Sequence, residues 1–160
     1  MMHKSFVVFL DVDGVLNTRT TCKHTPDGYT GIDDARVSIL SQAISKYGDA
    51  DIVLTSDWKD MKSTDDDYVY LESKLDKYGL SISGKAPGGR QDRGAGIVAY
   101  LEEHPEIKEY VILDDCKFDF EDYKNLWERL LLTDGIENAK FVTETPAVEA
   151  LIFMDYIKMF

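Results

Sequence analysis

Short unbroken apolar runs alternate along this chain with segments whose apolar residues recur every three or four positions. That alternation predicts a parallel sheet with helices on both faces. Ser5 to Leu10 reads SFVVFL, a strand buried on both sides. Comparable runs follow at Asp51–Thr55 (DIVLT) and Glu109–Leu113 (EYVIL), with shorter ones at Leu80–Ser83 and Leu130–Thr133. Between them, Val37, Leu40, Ile44 and Tyr47 keep one face of a helix that Asp33 can cap and Gly48 can stop. Tyr68, Leu71, Leu75 and Tyr78 mark a second helix, ended by Gly79, and Asp65 to Asp67 suit the positive end of its dipole. Further helices are predicted over Gln91–Glu103 and Asp119–Glu128, and Thr145-Pro146 opens a last one. Asn17–Gly31 and Gly84–Gly89 read as loops, rich in turn-forming residues.

At 160 residues the chain is read as one domain, 1–160, long enough for a sizeable core. No apolar stretch approaches a transmembrane span, and the first run ends in Asp too early for a signal peptide. Cys22 and Cys116 lack metal or redox spacing, so reduced thiols in a cytoplasmic protein are expected. The formal charge of −12 disfavours general adhesion to nucleic acid or membranes, since both require a basic surface.

The chemistry begins where the first strand ends, at Asp11-Val12-Asp13-Gly14-Val15. Two carboxylates beside a buried strand repel each other and desolvate badly, and are tolerable mainly where a cation neutralises them. Oxygen-only ligation suits Mg²⁺. Thr55-Ser56 ends the second strand and Asp114-Asp115 ends the fourth. In a parallel sheet the active site lies beyond such strand ends. Any one of these could be a helix cap or turn former. Their joint occurrence in this order is not explained by capping.

These residues resemble the haloacid dehalogenase superfamily, the aspartate-nucleophile phosphohydrolases. FVVFLDVDGVLN is similar to its first motif, DIVLTSDWK to its second and YVILDD to its fourth. RQDRGAGIVAYL can supply the third, and RLLLTDG looks like a small branch of the superfamily. The resemblance covers Phe6 to Asp115. It implies a three-layer Rossmannoid fold with a central parallel sheet, and a Mg²⁺-dependent phosphatase. Asp11 would be the nucleophile and Asp13 the general acid and base, its backbone carbonyl also facing the metal. Ser56 would bond a phosphoryl oxygen. Of Asp114 and Asp115, both in the metal site, Asp115 is favoured as the direct ligand. Arg93 is chosen as the phosphate-clamping cation, with Lys85 and Arg90 as further substrate contacts and Lys59 as a substitute. Gly14 and Asp57 join the substrate-contacting positions.

The gaps between motifs are too short for a large cap domain. An open site suits a large or loosely held phosphomonoester: a nucleotide, a nucleic-acid end or a phosphoprotein, with Asn17–Gly31 as the only lid. The negative charge weighs against the nucleic-acid end. His3, His24 and His104 read as surface residues, Trp58 as packing or a stacking platform, and Cys116 as a packed thiol. Two alternatives are a catalytically silent relative that binds partners and a receiver-like phosphoacceptor domain. The receiver class has its acidic pair after the first strand, whereas here the pair comes late. A Ca²⁺ loop fails because no further ligands follow Gly14 at the required spacing.

Overall fold

A computed structural model describes residues 3–88 and 92–159. Six strands form one sheet in the order β3-β2-β1-β4-β5-β6. They are β1 (Phe6–Leu10), β2 (Asp51–Leu54), β3 (Ile82–Lys85), β4 (Glu109–Asp114), β5 (Leu130–Leu132) and β6 (Lys140–Phe141). All neighbours run parallel except β6, which closes the edge antiparallel to β5. Every residue of β1 is buried, as its continuous apolar run predicts for a central strand.

Helices α1 (Asp34–Tyr47), α2 (Asp66–Asp76) and α5 (Val148–Lys158) cover one face. Their Leu40, Leu71 and Phe153 join Val8, Leu10, Leu54 and Val111 in one core. Helices α3 (Arg93–Glu103) and α4 (Lys124–Trp127) cover the other face. There Ile97, Tyr100 and Leu126 pack on Val7, Phe9, Val53 and Ile112. The result is the three-layer α/β architecture expected, with no large cap among the described residues. No helix there is long and apolar enough to cross a membrane.

Local chemistry explains most boundaries. Gly48 stops α1 in the left-handed region, at φ 118°. Asp33 flanks α1 as expected, yet its carboxylate does not cap the helix. It accepts from the Thr21 hydroxyl at 2.7 Å and from Arg36, tying down the long loop instead. Asp65 to Asp67 is a helix start, and Asp67 is buried, accepting from the Asp27 N–H at 3.0 Å.

Two expectations shift, and one strand was not foreseen. The third strand begins at Ile82 rather than Leu80. The helix over Asp119–Glu128 shrinks to Lys124–Trp127 because its first half is pinned as a turn. Phe120 is fully buried there, and a Cβ on Gly94 would stand 2.3 Å from the Asp119 carbonyl oxygen, so α3 packs directly against that backbone. Strand β6 is too short, at two residues, to show any period.

Asp34 ties α1 to α2 and to the long loop. It accepts from Lys74 at 3.0 Å and pairs with Lys77 and Lys23, both at 3.3 Å. The Lys74 bond leads these cations in holding the carboxyl down at about 2, against a smaller opposing effect of burial. A depressed carboxyl stabilises the fold above its unfolded value, about 4, and that contribution is lost as pH falls through the folded value. Asp34→Asn is therefore expected to cost on the order of 1 kcal/mol near neutral pH. The deficit should vanish between pH 4 and 2 in urea melts across that range. A pH-independent deficit would assign the loss to packing.

Candidate active site

The sheet reverses direction at β1. The chain runs outward through β2 and β3, then crosses back to β4 on the other side of β1. Helices leave opposite faces at such a switch point and open a crevice beyond the strand ends. Leu10 pairs with Leu54 on one side and Leu113 on the other. One residue further, Asp11, Thr55 and Asp114 form the next row. Side chains alternate along strands, so these three share the face of Phe9, Val53 and Ile112, which α3 covers.

Carboxylate oxygens of Asp11, Asp114 and Asp115 all lie within 4.8 Å of one another. Asp11 and Asp114 are buried, 2% and 0% exposed. Burial, then the Asp114 charge, pushes the Asp11 carboxyl well above its usual range. Burial likewise raises Asp114, against the pull of Arg93. Arg93, the first residue of α3, answers this charge. Its Nη1 reaches both Asp114 oxygens at 2.8 Å and Asp11 Oδ2 at 3.4 Å. Its Nε is buried with no hydrogen-bond partner among the described residues, 4.0 Å from Asp119 Oδ2. Burial works against the guanidinium charge, but Asp11 and Asp114 outweigh it. Three carboxylates against one guanidinium leave negative charge that a hard cation with oxygen ligands matches, so the donor set fits Mg²⁺.

Asp13 is held apart from this group. Its Oδ1 accepts from Asn17 Nδ2 at 2.9 Å and its Oδ2 from the Trp58 indole Nε1 at 3.1 Å. Asn17 is fixed in turn, accepting from the Gly14 N–H and donating to the Gly31 carbonyl, both at 2.9 Å. Gly14 sits at φ +85°, and a Cβ there would stand 2.3 Å from Asp115 Oδ2. Its carbonyl accepts from Thr133 Oγ1 at 2.7 Å and Gly135 N at 2.8 Å. Gly14 was expected to touch substrate. It lines the cleft, but its N–H and carbonyl are already engaged, and its missing side chain makes room for Asp115.

Other expected residues divide. Ser56 is buried beside the motif, its Oγ accepting from the Val12 N–H at 3.5 Å. Thr55, given no role of its own in the sequence, is buried with its hydroxyl unpartnered among the described residues. Asp57 lines the cleft and is exposed. Lys85 is directed away from the carboxylates. Its ammonium bonds the Met61 carbonyl at 3.2 Å and lies over the Tyr68 ring, because the last residue of edge strand β3 faces that helix. Lys59 is buried, its ammonium 3.4 Å from the Pro87 carbonyl, and burial lowers its pKa. Arg90 lies outside the described residues.

A cleft of about 1350 Å³ opens over Asp13 and Asp115. Arg19, Tyr29 and Trp58 line it, and Tyr29 is 70% exposed at its rim. Asn17 and Thr133 are the supports that sequence reasoning missed. Asn17 carried a signal, its place directly after the first motif; Thr133 carried none. His3 was expected at the surface, but it is largely buried at the far end of the sheet, between Asp51 and Tyr100.

Comparison with known proteins agrees with this arrangement. The family described as the HAD domain in Swiss Army Knife RNA repair proteins matches residues 7–138, most of the chain. No curated protein and no solved structure matches it.

Gly14→Ala should disturb the centre from the backbone outward. The positive φ costs an L residue about 1–2 kcal/mol, and the added methyl must displace the Asp115 carboxylate. The expected result is a lower melting temperature and a smaller rise on adding Mg²⁺, read by thermal melts with and without the ion. Melting and Mg²⁺ response equal to wild type would refute the close packing of Gly14 on Asp115.

Proposed function

The chain belongs to the HAD domain family of Swiss Army Knife RNA repair proteins, and from that premise we propose that it is a Mg²⁺-dependent phosphatase of phosphomonoesters working through an aspartyl-phosphate. One observation carries the reading. Asp11 stands buried at the switch point with Asp114, Asp115 and Arg93, while Asp13, two residues on, is held outside that group by neutral donors. Two carboxylates in contrasting environments can take contrasting roles.

An Asp11 oxygen attacks phosphorus in line with the ester oxygen. The P–O ester bond breaks, and the leaving oxygen takes a proton from Asp13. Water then attacks the acyl phosphate, giving its proton to Asp13 and releasing inorganic phosphate with the Asp11 carboxylate restored. Bound Mg²⁺, held by Asp11, Asp115 and Asp114 with the Asp13 carbonyl, would cancel charge between nucleophile and phosphate. Arg93 holds Asp11 and Asp114 in place and supplies the fixed positive charge of the centre. Ser56 donates to a phosphoryl oxygen, and Thr55, whose hydroxyl has no partner among the described residues, joins it. The open cleft receives the organic part of the substrate. The family's description, RNA repair proteins, supports a nucleic-acid end as substrate; a nucleotide or a phosphoprotein side chain fits the same chemistry.

Release of inorganic phosphate from an aryl phosphate, with Mg²⁺ and with chelator, tests the reading. Asp11→Asn should lower turnover by about 10³-fold or more while the protein stays folded. Without Mg²⁺ its melting temperature should hold or rise, because a buried, repelled charge is removed. Turnover that survives the substitution would exclude Asp11 as nucleophile. No metal-dependent turnover on aryl, nucleotide or phosphopeptide substrates would favour a silent binding protein. Separately, Thr55→Val keeps the shape and removes the hydroxyl. It should lower kcat/KM about tenfold, the size of one hydrogen bond to a charged group. An unchanged value would leave the phosphoryl contact to Ser56 alone.

A further inference from the structure

We propose that Trp58 is a positioning residue for the general acid, its indole N–H fixing the Asp13 carboxylate toward the ester oxygen of the substrate. The proposal rests on the phosphatase reading above.

Trp58 stands on the short 3-10 helix Asp57–Asp60 that follows β2, and is 3% exposed. The rest of the side chain belongs to the apolar core that also holds Val12, Leu16 and Leu54. Its one polar atom, Nε1, reaches Asp13 Oδ2 at 3.1 Å. The second Asp13 oxygen is held by Asn17 Nδ2 at 2.9 Å. A carboxylate with one free rotor at its end is thereby fixed at both oxygens by two rigid partners.

The chemistry of the donors matters as much as their geometry. A general acid passes its proton along one direction, to the leaving oxygen, so the orientation of its carboxyl governs the step. Indole and amide N–H groups orient the carboxyl without bringing a full charge. The nearby guanidinium keeps to this division: Arg93 pairs with Asp11, Asp114 and, at longer range, Asp119. Trp58 also crosses between motifs. It joins the residues after the second strand to the acid after the first, so one hydrogen bond ties the two loops together.

The test exploits the leaving group. An alkoxide leaves only with a proton, whereas p-nitrophenolate leaves without one. The comparison is kcat/KM of Trp58→Phe against wild type on an alkyl phosphate and on p-nitrophenyl phosphate. This quantity covers the steps up to aspartyl transfer, and the ratio of the two substrates on one preparation cancels any loss of folded protein. The alkyl ester should fall by about tenfold or more, and the nitrophenyl ester by much less. Asp13→Asn should shift the ratio in the same direction and further. Replacing Trp58 by its benzothiophene isostere keeps the ring shape and removes the N–H, and should repeat the shift where Phe packs poorly. Equal losses on both esters, or none, would overturn the role of Trp58 and leave the phosphatase reading intact. Absence of metal-dependent hydrolysis of either ester by the wild type would overturn both.

Discussion

Like charge packed at the carboxyl ends of two adjacent central strands is the constraint that the rest of this structure answers. Asp11 and Asp114 occupy one row of a buried sheet, where neither has water to solvate it. Desolvation raises both carboxyls, and their proximity adds to the cost. Arg93 reduces that cost from the start of α3, and its position explains why this helix packs so closely. Gly94 and Gly96 lie against the backbone at Asp119 and Pro87, where a Cβ would be 2.3 and 2.2 Å from a carbonyl oxygen. That close approach puts the first residue of α3 within reach of the carboxylates.

The same closeness accounts for where sequence patterns succeeded and failed. Strands β1, β2, β4 and β5 were legible because parallel strands buried on both faces are continuous apolar runs, and those runs are hard to mistake; edge strand β3, half-exposed and reading ISGK, gave a weaker signal and a shifted start. Asp11, Ser56, Asp114 and Asp115 were legible as a group because strand ends place them, whereas Arg93, the first residue of α3, was singled out only through the family resemblance. The helix over Asp119–Glu128 was misread because its periodicity was real while its backbone was committed elsewhere, to the underside of α3. Lys85 was misread for a related reason: a basic residue beside a glycine-rich loop says nothing of which way the end of an edge strand faces. Supports such as Thr133, 119 residues from the Gly14 carbonyl it bonds, have no local signature at all.

Backbone contacts around Gly14 show how the centre is held from below. Its carbonyl takes the Thr133 hydroxyl and the Gly135 N–H, which come from the segment after β5. Its N–H goes to Asn17, which also bonds the Gly31 carbonyl and so closes the base of the long loop. A single glycine thus joins β1, the loop that borders the cleft and the segment beyond β5. Rigid backbone partners suit a centre whose side chains repel one another, since each carboxylate would otherwise relax toward solvent.

The partition of donors between the two aspartates of the first motif completes this logic. Asp11 faces a guanidinium, two further carboxylates and a site that fits a divalent cation, an environment that favours a charged nucleophile once that cation is bound. Asp13 faces an indole and an amide, which orient it. Both aspartates follow the same strand with one residue between them; continued pleating would put them on one face, and the turn that begins at Val12, whose carbonyl accepts from the Val15 and Leu16 N–H groups, parts them instead. A fold that buries one and hands the other to neutral donors on the cleft wall obtains acid and nucleophile from a single tripeptide. The second strand's own loop supplies the indole, so both roles are set by three strand ends and the first turn of one helix.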